Sequence, residues 1–581
     1  MGTPVELSEL LGGSDLASNI SNLWDTYNNQ RNEKVEDWKE VRDYVFATDT
    51  STTSNSTLPW KNSTTLPKLC QIRDNLHSNY ISALFPNDNW LKWEAYSREA
   101  AVKSKADIIL AYMQNKVRVG NFRTEMSKIV YDYIDTGNSF ATVKFESRYK
   151  EMPDGSKIPD FIGPKVVRIS PYDIVFNPLA ATFEDSFKVI RSIKTIGELV
   201  AMSEQEPDNQ YLKDALSKRL FIKNNMASYG KEDWDKAQGY LADGFGSIQE
   251  YYQSDYVEIL EFYGDIHDAD TGEYKTNKVI TVVDRAHVIR EADIPSWLGH
   301  APIYHAGWRF RPDNLWAMGP LENLIGMQYR MDQLENLKAD AMDLAVLPPL
   351  VIKGDVEEFD YGPNEEIHID EAGDISELGK SAQGVITAAQ DISLYETRME
   401  QFAGAPSEAM GIRTPGEKTL GEVQALQNAA GRIFQEKITS FEINIVERIL
   451  NAMLEISARH SSLEDTIRVL DDDLGVQEFI NITSADITAS GKIRPVGARH
   501  FAAQTQLMQN LTQVFSSPLG QMVAPHTSTK QLSKVVEDML GIHNYAVFEE
   551  NVAVTEQQEL QRQAGQAQED LMTEMQQPVV E

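Results

Sequence analysis

Four stretches carry residue types that could do chemistry. Gly379-Lys380-Ser381 matches the end of a phosphate-cradling loop, in which backbone N–H groups and a lysine hold the phosphates of a nucleotide. That loop needs a glycine five positions before Gly379, but Asp374 stands there and Gly373 is one place out of register. The segment also does not run from a buried strand into a tight loop, so a turn is the better reading. Asp268-Ala269-Asp270-Thr271-Gly272 has the carboxylate spacing that opens a calcium loop. It lacks the next ligand and the closing glutamate, which leaves a hairpin turn. Asp471-Asp472-Asp473 has the charge to gather a magnesium ion, although an acidic run is ordinarily a solvated loop. The single cysteine, Cys70, has no histidine near it in sequence, and its helical setting favours packing over nucleophilic work. Neither a paired-histidine zinc helix nor a nucleophile elbow occurs. No catalytic residue, metal ligand or cofactor is assigned, and the expectation is a protein that is not an enzyme.

The composition narrows the classes further. A chain of 581 residues has length for about three or four units, and 41% hydrophobic with 24% charged residues is ordinary globular composition. One cysteine rules out an internal disulfide and suits a reducing compartment. The first residues contain acids and no basic stretch, so they do not read as a signal peptide. No apolar run approaches the roughly 18 residues of a membrane span; Leu344 to Ile352 is the most apolar stretch and is far too short. The charge balance is the most informative number: 54 basic against 88 acidic residues, a net of −34. A protein that grips a duplex needs basic stripes that displace counterions. Two readings follow: the chain does not meet DNA, or it handles DNA without gripping it.

Any such role needs elements to carry it. Leu23 to Phe46 has helical spacing anchored by Trp24, Tyr27, Trp38 and Tyr44, and Leu69 to Leu84 forms another helix. Trp90 and Trp93 open an extended segment. Ala101 to Val117 and Phe122 to Ile134 make a helical pair broken at Gly120-Asn121. Thr136-Gly137-Asn138 ends the second helix, and Phe140 to Phe145 alternates as a strand partnered by Lys165 to Ile169. Thr195 to Leu220 is helical. Val257 to Tyr263, Lys278 to Asp284 and Ala286 to Arg290 form a strand meander. The region of about 20–310 is therefore α+β. Near the other end, Asn481 to Arg494 reads as a returning strand pair, Phe501 to Phe515 and Lys530 to Leu540 as helices, and Thr555 to Gln577 as a Gln/Glu-rich tail.

The stretch between dominates the chain. After Gly319-Pro320, Leu321, Leu324, Gln328, Met331, Leu334, Lys338, Met342 and Ala345 recur at steps of three and four. This helix runs to Pro348-Pro349, which no helix interior accepts; at ~1.5 Å per residue it spans ~42 Å. Strand-like runs follow at Leu350 to Lys353 and Glu366 to Asp370. A second helix, Thr387 to Phe402, places Ala389, Ile392, Tyr395, Met399 and Phe402 on one face. Gly404 to Lys418 is a Gly/Pro-rich loop. A third helix from Thr419 to Arg459 carries Val423, Leu426, Ala430, Phe434, Phe441, Ile445, Ile449 and Leu454. Helices this long need neighbours along their whole length, supplied by the same chain or by identical copies in a ring.

This order of elements resembles the portal protein, or head-to-tail connector, of short-tailed bacteriophages. The residues that carry the resemblance are Ile169 to Pro178 (ISPYDIVFNP), Trp308 to Pro320 (WRFRPDNLWAMGP) and the helix running into Pro348-Pro349. The segments Trp38 to Phe46 and Leu69 to Trp93 look like the same family. The resemblance implies a mainly helical α+β subunit with wing, stem, clip and crown, assembling as a ring of twelve at one capsid vertex of the virion. Residues 1–318 would form the N-terminal wing region, 319–348 and 386–403 the two stem helices, and 349–385 the clip. Residues 404–418 would be the tunnel loop, 419–500 the long wing helix and returning strands, and 501–581 the crown and polar tail. It further implies that duplex DNA passes through during packaging and ejection. The partners would be the terminase large subunit as a separate motor docking at the clip, the major capsid protein, and head-to-tail adaptor or tail proteins.

The charge is consistent with such a role, since twelve copies carry 12 × 34 = 408 net negative charges. An acidic lumen repels phosphates, and with a screening length of ~8 Å only charges facing the DNA matter. In the tunnel loop, Arg413 and Lys418 are the candidates for transient phosphate contact, with Met410 and Ile412 as channel-facing neighbours. Exposed loop charges with no partner are the alternative reading of Arg413 and Lys418. The competing function is an acidic helical scaffold or adaptor that does not contact DNA.

Overall fold

The computed structural model describes residues 5–6, 16–46, 62, 64–85, 90–95, 100–153, 157–224, 254–267, 274–346, 350–353, 374–377, 383–403, 434–460, 464–470, 477–483, 487–488 and 491–495. The chain is α+β and divides into two compact units. The larger comprises Met1–Leu84, Leu91–Asp465 and Ile482–Pro495. In the smaller, the described part is residues 466–470 and 477–481, most of a strand pair, together with Phe85 and Trp90, whose rings meet edge to face at 4.9 Å.

The larger unit opens with helices α1 (Leu16–Gln30) and α2 (Asn32–Val45). The periodicity suggests one helix here, but the chain breaks at Arg31, whose φ of −92° and ψ of 1° leave the helical well. The break frees the Arg31 guanidinium to donate to the carbonyls of Pro171 and Ile174, both at 2.6 Å, and of Tyr172. It is held against the rings of Trp24 and Trp316. One buried cation thus ties the start of the chain to the Ile169–Pro178 stretch that stood out in the sequence. Helices α3 (Lys68–Leu84), α4 (Ala100–Val119) and α5 (Phe122–Asp135) follow, and the Gly120-Asn121 break falls as expected. Thr195 to Leu220 is two helices, α6 (Ile196–Gln205) and α7 (Gln210–Asn224). Thr195 and Glu198 form a reciprocal capping box at the start of α6, and the sequence Glu206-Pro207 interrupts the run.

Short strand β1 (Val5–Glu6) adds in parallel to a sheet ordered β5 (Ile174–Phe176), β6 (Lys188–Thr195), β7 (Tyr256–His267), β8 (Tyr274–Val283) and β9 (His287–Asp293). Its two faces are covered by different clusters: Trp24, Ile20 and Leu16 of α1 on one, Leu199 of α6 and Leu212 of α7 on the other. Asp284 and Arg285, between β8 and β9, both have positive φ, 52° and 56°. Left-handed backbone costs a non-glycine residue about 1–2 kcal/mol. Here the fully buried Arg285 offsets that cost with a two-pronged pair to Glu258, at 2.6 and 3.0 Å, and a bond to Asp25.

A second sheet is ordered β10 (Ile303–Gly307), β3 (Asn138–Glu151) and β4 (Lys157–Ile169), followed in sequence by the hairpin β11 (Arg309–Arg311) and β12 (Asn314–Met318). The expected returning pair at Asn481 to Arg494 is corrected. Gln477–Thr483 pairs with Glu464–Leu470, while Gly491–Pro495 pairs with Leu91–Ala95. The distant partner wins because the Asn451 side chain bonds both the N–H and the C=O of Ile493, and the Trp93 ring lies against Gly491, where a Cβ would meet it at 2.4 Å. The third long helix is described from residue 434 onward. It is not uniformly α-helical: Glu442–Glu447 forms a π turn before the helix Arg448–Arg459.

Asn138 is the junction of these parts. Its side chain donates to the carbonyls of Thr136 and Ala317 and accepts from Ala317 N–H, all at 2.9 Å, and from His305 at 3.2 Å. Beside it, Gly137 at φ +71° lies so close to Gly319 that a Cβ would come within 2.3 Å of the Gly319 nitrogen. The two glycines that punctuate the sequence here are packed against each other. His305 stacks on Phe140 with ring centroids 4.5 Å apart, and burial pushes its pKa down to about 3. The unfolded chain binds a proton near pH 6.5 and the folded chain does not, so stability falls as pH drops from about 6.5 towards 3. The expected loss at pH 4.5 is roughly 2–3 kcal/mol. Urea unfolding at pH 7 and pH 4.5 should show a smaller difference in His305→Gln than in the wild type; equal differences would contradict this.

Candidate functional site

The residues expected to face a channel, Met410, Ile412, Arg413 and Lys418, lie outside the described residues, as do Gly379-Lys380-Ser381, Asp268 to Gly272 and Asp471 to Asp473. Cys70 is described: its Sγ is 3.9 Å from Asp74, and burial followed by the Asp74 charge pushes its pKa up, which disfavours the thiolate. Among the described residues, no group of three or more His, Cys, Asp and Glu is placed to hold a metal ion, and no helix is long and apolar enough to cross a membrane.

The central stretch itself supplies the site. A short turn, Glu322–Leu324, leads into α8 (Ile325–Val346), which ends just before Pro348-Pro349. The Glu322 carboxylate fixes this entry by accepting from Gly319 N–H and from Lys34 Nζ of α2, each at 3.0 Å. Strands β13 (Leu350–Lys353) and β14 (Asp374–Glu377) pair antiparallel, Leu350 opposite Glu377. The expected strand Glu366 to Asp370 lies outside the described residues. Helix α9 (Gln383–Ala403) begins four residues earlier than the periodicity suggests and packs on α8. Leu321, Leu324, Met331 and Leu334 are buried, as are Ile392 and Met399, so part of the expected apolar faces is covered within the chain. Of the other expected positions, Met342 and Phe402 are exposed.

The sequence reading missed the polar residues on the buried side of α8. Gln328, Asp332, Asn336 and Asp340 are spaced by four and all are buried. Along them runs an extended strap, residue 62 and residues 64–67, antiparallel to the helix. Asn62 N–H donates to Asp340 Oδ1 at 2.9 Å, Thr64 N–H to Asn336 Oδ1 at 2.7 Å and Leu66 N–H to Asp332 Oδ1 at 2.9 Å. Leu69 N–H reaches Gln328 Oε1 at 3.3 Å, and Gln328 Nε2 returns a bond to Leu66 O at 2.6 Å. The two periods match: four helical residues rise ~6.0 Å and two extended residues ~6.6 Å. Asp340, Asn336 and Asp332 therefore meet every second N–H, and Gln328 takes the N–H of Leu69 three residues on, in the first turn of α3. The strap leads into α3, where Lys68 Nζ pairs with Glu400 of α9 at 2.6 Å, so strap, α8 and α9 are locked together. The four-residue recurrence of Gln, Asp, Asn and Asp was the signal available in sequence, hidden beside a stronger apolar pattern.

Away from the strap, the helix pair carries exposed apolar side chains: Tyr329, Leu337, Met342 and Val346 of α8, and Ile386, Leu394 and Phe402 of α9. The charged residues between them are mainly acidic, four acidic against two basic in α8 and three against one in α9. Such a surface suits association through apolar knobs in an acidic setting. No protein-family profile matches the chain, and no curated protein matches it.

The ladder has one electrostatic weakness. Asp332 Oδ2 and Asp340 Oδ2 are buried without a hydrogen-bond partner. Burial, with a smaller contribution from the Glu335 charge, holds the Asp332 carboxyl above its usual range against the opposing bonds from Gln328 and Leu66. A raised carboxyl favours the folded state while protonated, and that advantage is lost as pH rises through its folded pKa. Asp332→Asn keeps an oxygen for Leu66 N–H and removes the charge. Its stability relative to wild type should therefore improve between pH 4 and pH 8 in thermal unfolding. Asp332→Leu, which strands the Leu66 N–H, should lose roughly 1–3 kcal/mol at both values. A constant difference between Asp332→Asn and wild type across this range would contradict the assignment.

Proposed function

We propose that this chain is the subunit of a bacteriophage portal ring, the channel at one capsid vertex through which duplex DNA is packaged and ejected. The observation that carries the proposal is the helix–hairpin–helix of α8, β13–β14 and α9. It is continuous with the α+β part of the larger unit and carries exposed apolar side chains. Apolar surface of this kind is buried by association, and a repeated, head-to-tail contact between identical copies either closes into a ring or grows into a filament. The acidic balance of the helix pair supports a wall past which phosphates slide. In this reading α8 and α9 are stem helices and β13–β14 belongs to the clip, where the terminase large subunit docks. Residues 1–318 and 419–500 form the wing, the capsid protein and head-to-tail adaptor are further partners, and the protein works in the virion as a structural component without catalysis of its own.

Sedimentation velocity tests the assembly. Twelve copies of 65.4 kDa give 12 × 65.4 = 785 kDa, and negative-stain images of that species should show rings with an axial hole. A chain that stays monomeric at micromolar concentration, or that forms rods, contradicts the proposal; rods would favour an acidic scaffold that never meets DNA.

A further inference from the structure

Three buried carboxylates of this chain each face an arginine: Asp132 meets Arg168, Glu258 meets Arg285 and Asp284 meets Arg219. Asp340, near the end of α8, does not. It is 3% exposed, and among the described residues it forms no ion pair. Its Oδ1 accepts from the backbone N–H of Asn62 at 2.9 Å and from Asn62 Nδ2 at 2.8 Å, while Oδ2 is buried without a donor. A buried charge is ordinarily paired or bound to a metal ion.

The neighbourhood adds more charge of the same sign. Asp343 is exposed, and its Oδ2 accepts from the same Asn62 Nδ2 at 3.0 Å. It stands in the last turn of α8, where the helix dipole is negative and a cation is favoured, yet that turn holds no basic residue. Two carboxylates thus converge on one neutral amide, at a helix end that favours positive charge.

We propose that Asp340, Asp343 and Asn62 form a binding site for a calcium ion. The ion lies between the two carboxylates, at the place Asn62 Nδ2 takes. Turning that amide over offers Oδ1 as a third protein ligand, Asp340 Oδ2 adds a further oxygen, and waters complete the shell from the exposed Asp343 side. Distance selects the metal. Asn62 Nδ2 is 2.8 and 3.0 Å from the two carboxylate oxygens. Calcium, with bonds of about 2.3–2.6 Å in a flexible shell, fits that gap with less contraction than magnesium, which demands about 2.0–2.1 Å and octahedral geometry. Bound calcium fastens Asn62, the first residue of the strap, to the end of α8 and so locks the ladder at that end. Such a site needs only the single subunit and is independent of ring formation.

The test uses the full chain, freed of divalent ions with a chelator and then given about 10 mM calcium chloride. With a dissociation constant of about 1 mM, at the weak end of calcium sites, opening of the strap falls roughly tenfold. Hydrogen–deuterium exchange at the Thr64 amide should slow by that factor. Asp343→Asn keeps an oxygen for Asn62 and changes only an exposed side chain, so the fold survives; thermal unfolding without calcium verifies this. In that variant the slowing should drop below about twofold. Asp391→Asn, exposed on α9, controls for calcium gathered by the net charge of −34 and should respond as the wild type does. Equal slowing in Asp343→Asn and wild type, no slowing in the wild type, or an equal effect from magnesium or from potassium chloride at matched ionic strength would overturn the proposal.

Discussion

Everything around the central helices depends on one match of periods. An α-helix repeats its face about every four residues and an extended strand its N–H direction every two, and these intervals are nearly the same length. Gln328, Asp332, Asn336 and Asp340 exploit this match to hold Asn62, Thr64, Leu66 and Leu69 by their backbones. Without the strap, α8 would bury a polar stripe with no partners, each costing of order 1–3 kcal/mol. Without α8, the strap would have no place in the fold, since it belongs to no sheet or helix. The ladder therefore explains how a long helix with an interrupted apolar face can be fixed firmly enough to present its other side to something else.

The anchoring continues at both ends of that helix. At its start, Gly137 and Gly319 lie in contact, Asn138 bonds both backbone groups of Ala317, and Glu322 bridges Gly319 and Lys34. Along its flank, the Lys68–Glu400 pair links α3 to α9. The helix pair is thus held by hydrogen bonds and ion pairs on its inner side, which frees apolar Tyr329, Leu337 and Leu394 to stay outside. In the proposed ring, this division would keep the subunit's interior cohesion from competing with its association.

Much of this was legible in the sequence where the signal was local. Gly319-Pro320 and Pro348-Pro349 bracket α8 because glycine and proline act on the backbone directly. The β7–β9 meander followed from alternation and its turns. What remained hidden was set by distant partners. Arg31 breaks a helix to reach carbonyls about 140 positions away. Gly491–Pro495 takes its partner from residues 91–95 rather than from the strand before it. The polar ladder resembles ordinary surface residues until residues 62, 64 and 66 are laid along it. The candidate channel residues Met410, Ile412, Arg413 and Lys418 lie outside the described residues and remain part of the proposal alone.

Hydrogen–deuterium exchange at the strap measures the ladder directly. The amides of Thr64 and Leu66 belong to no regular element, and among the described residues they donate to Asn336 and Asp332. Exchange slowed on the order of 100-fold or more relative to an open chain is expected in the wild type. In Asn336→Ala, protection at Thr64 should be lost first while the amides of α5 keep theirs. Exchange at open-chain rates in the wild type, or protection at Thr64 unchanged in Asn336→Ala, would contradict the account.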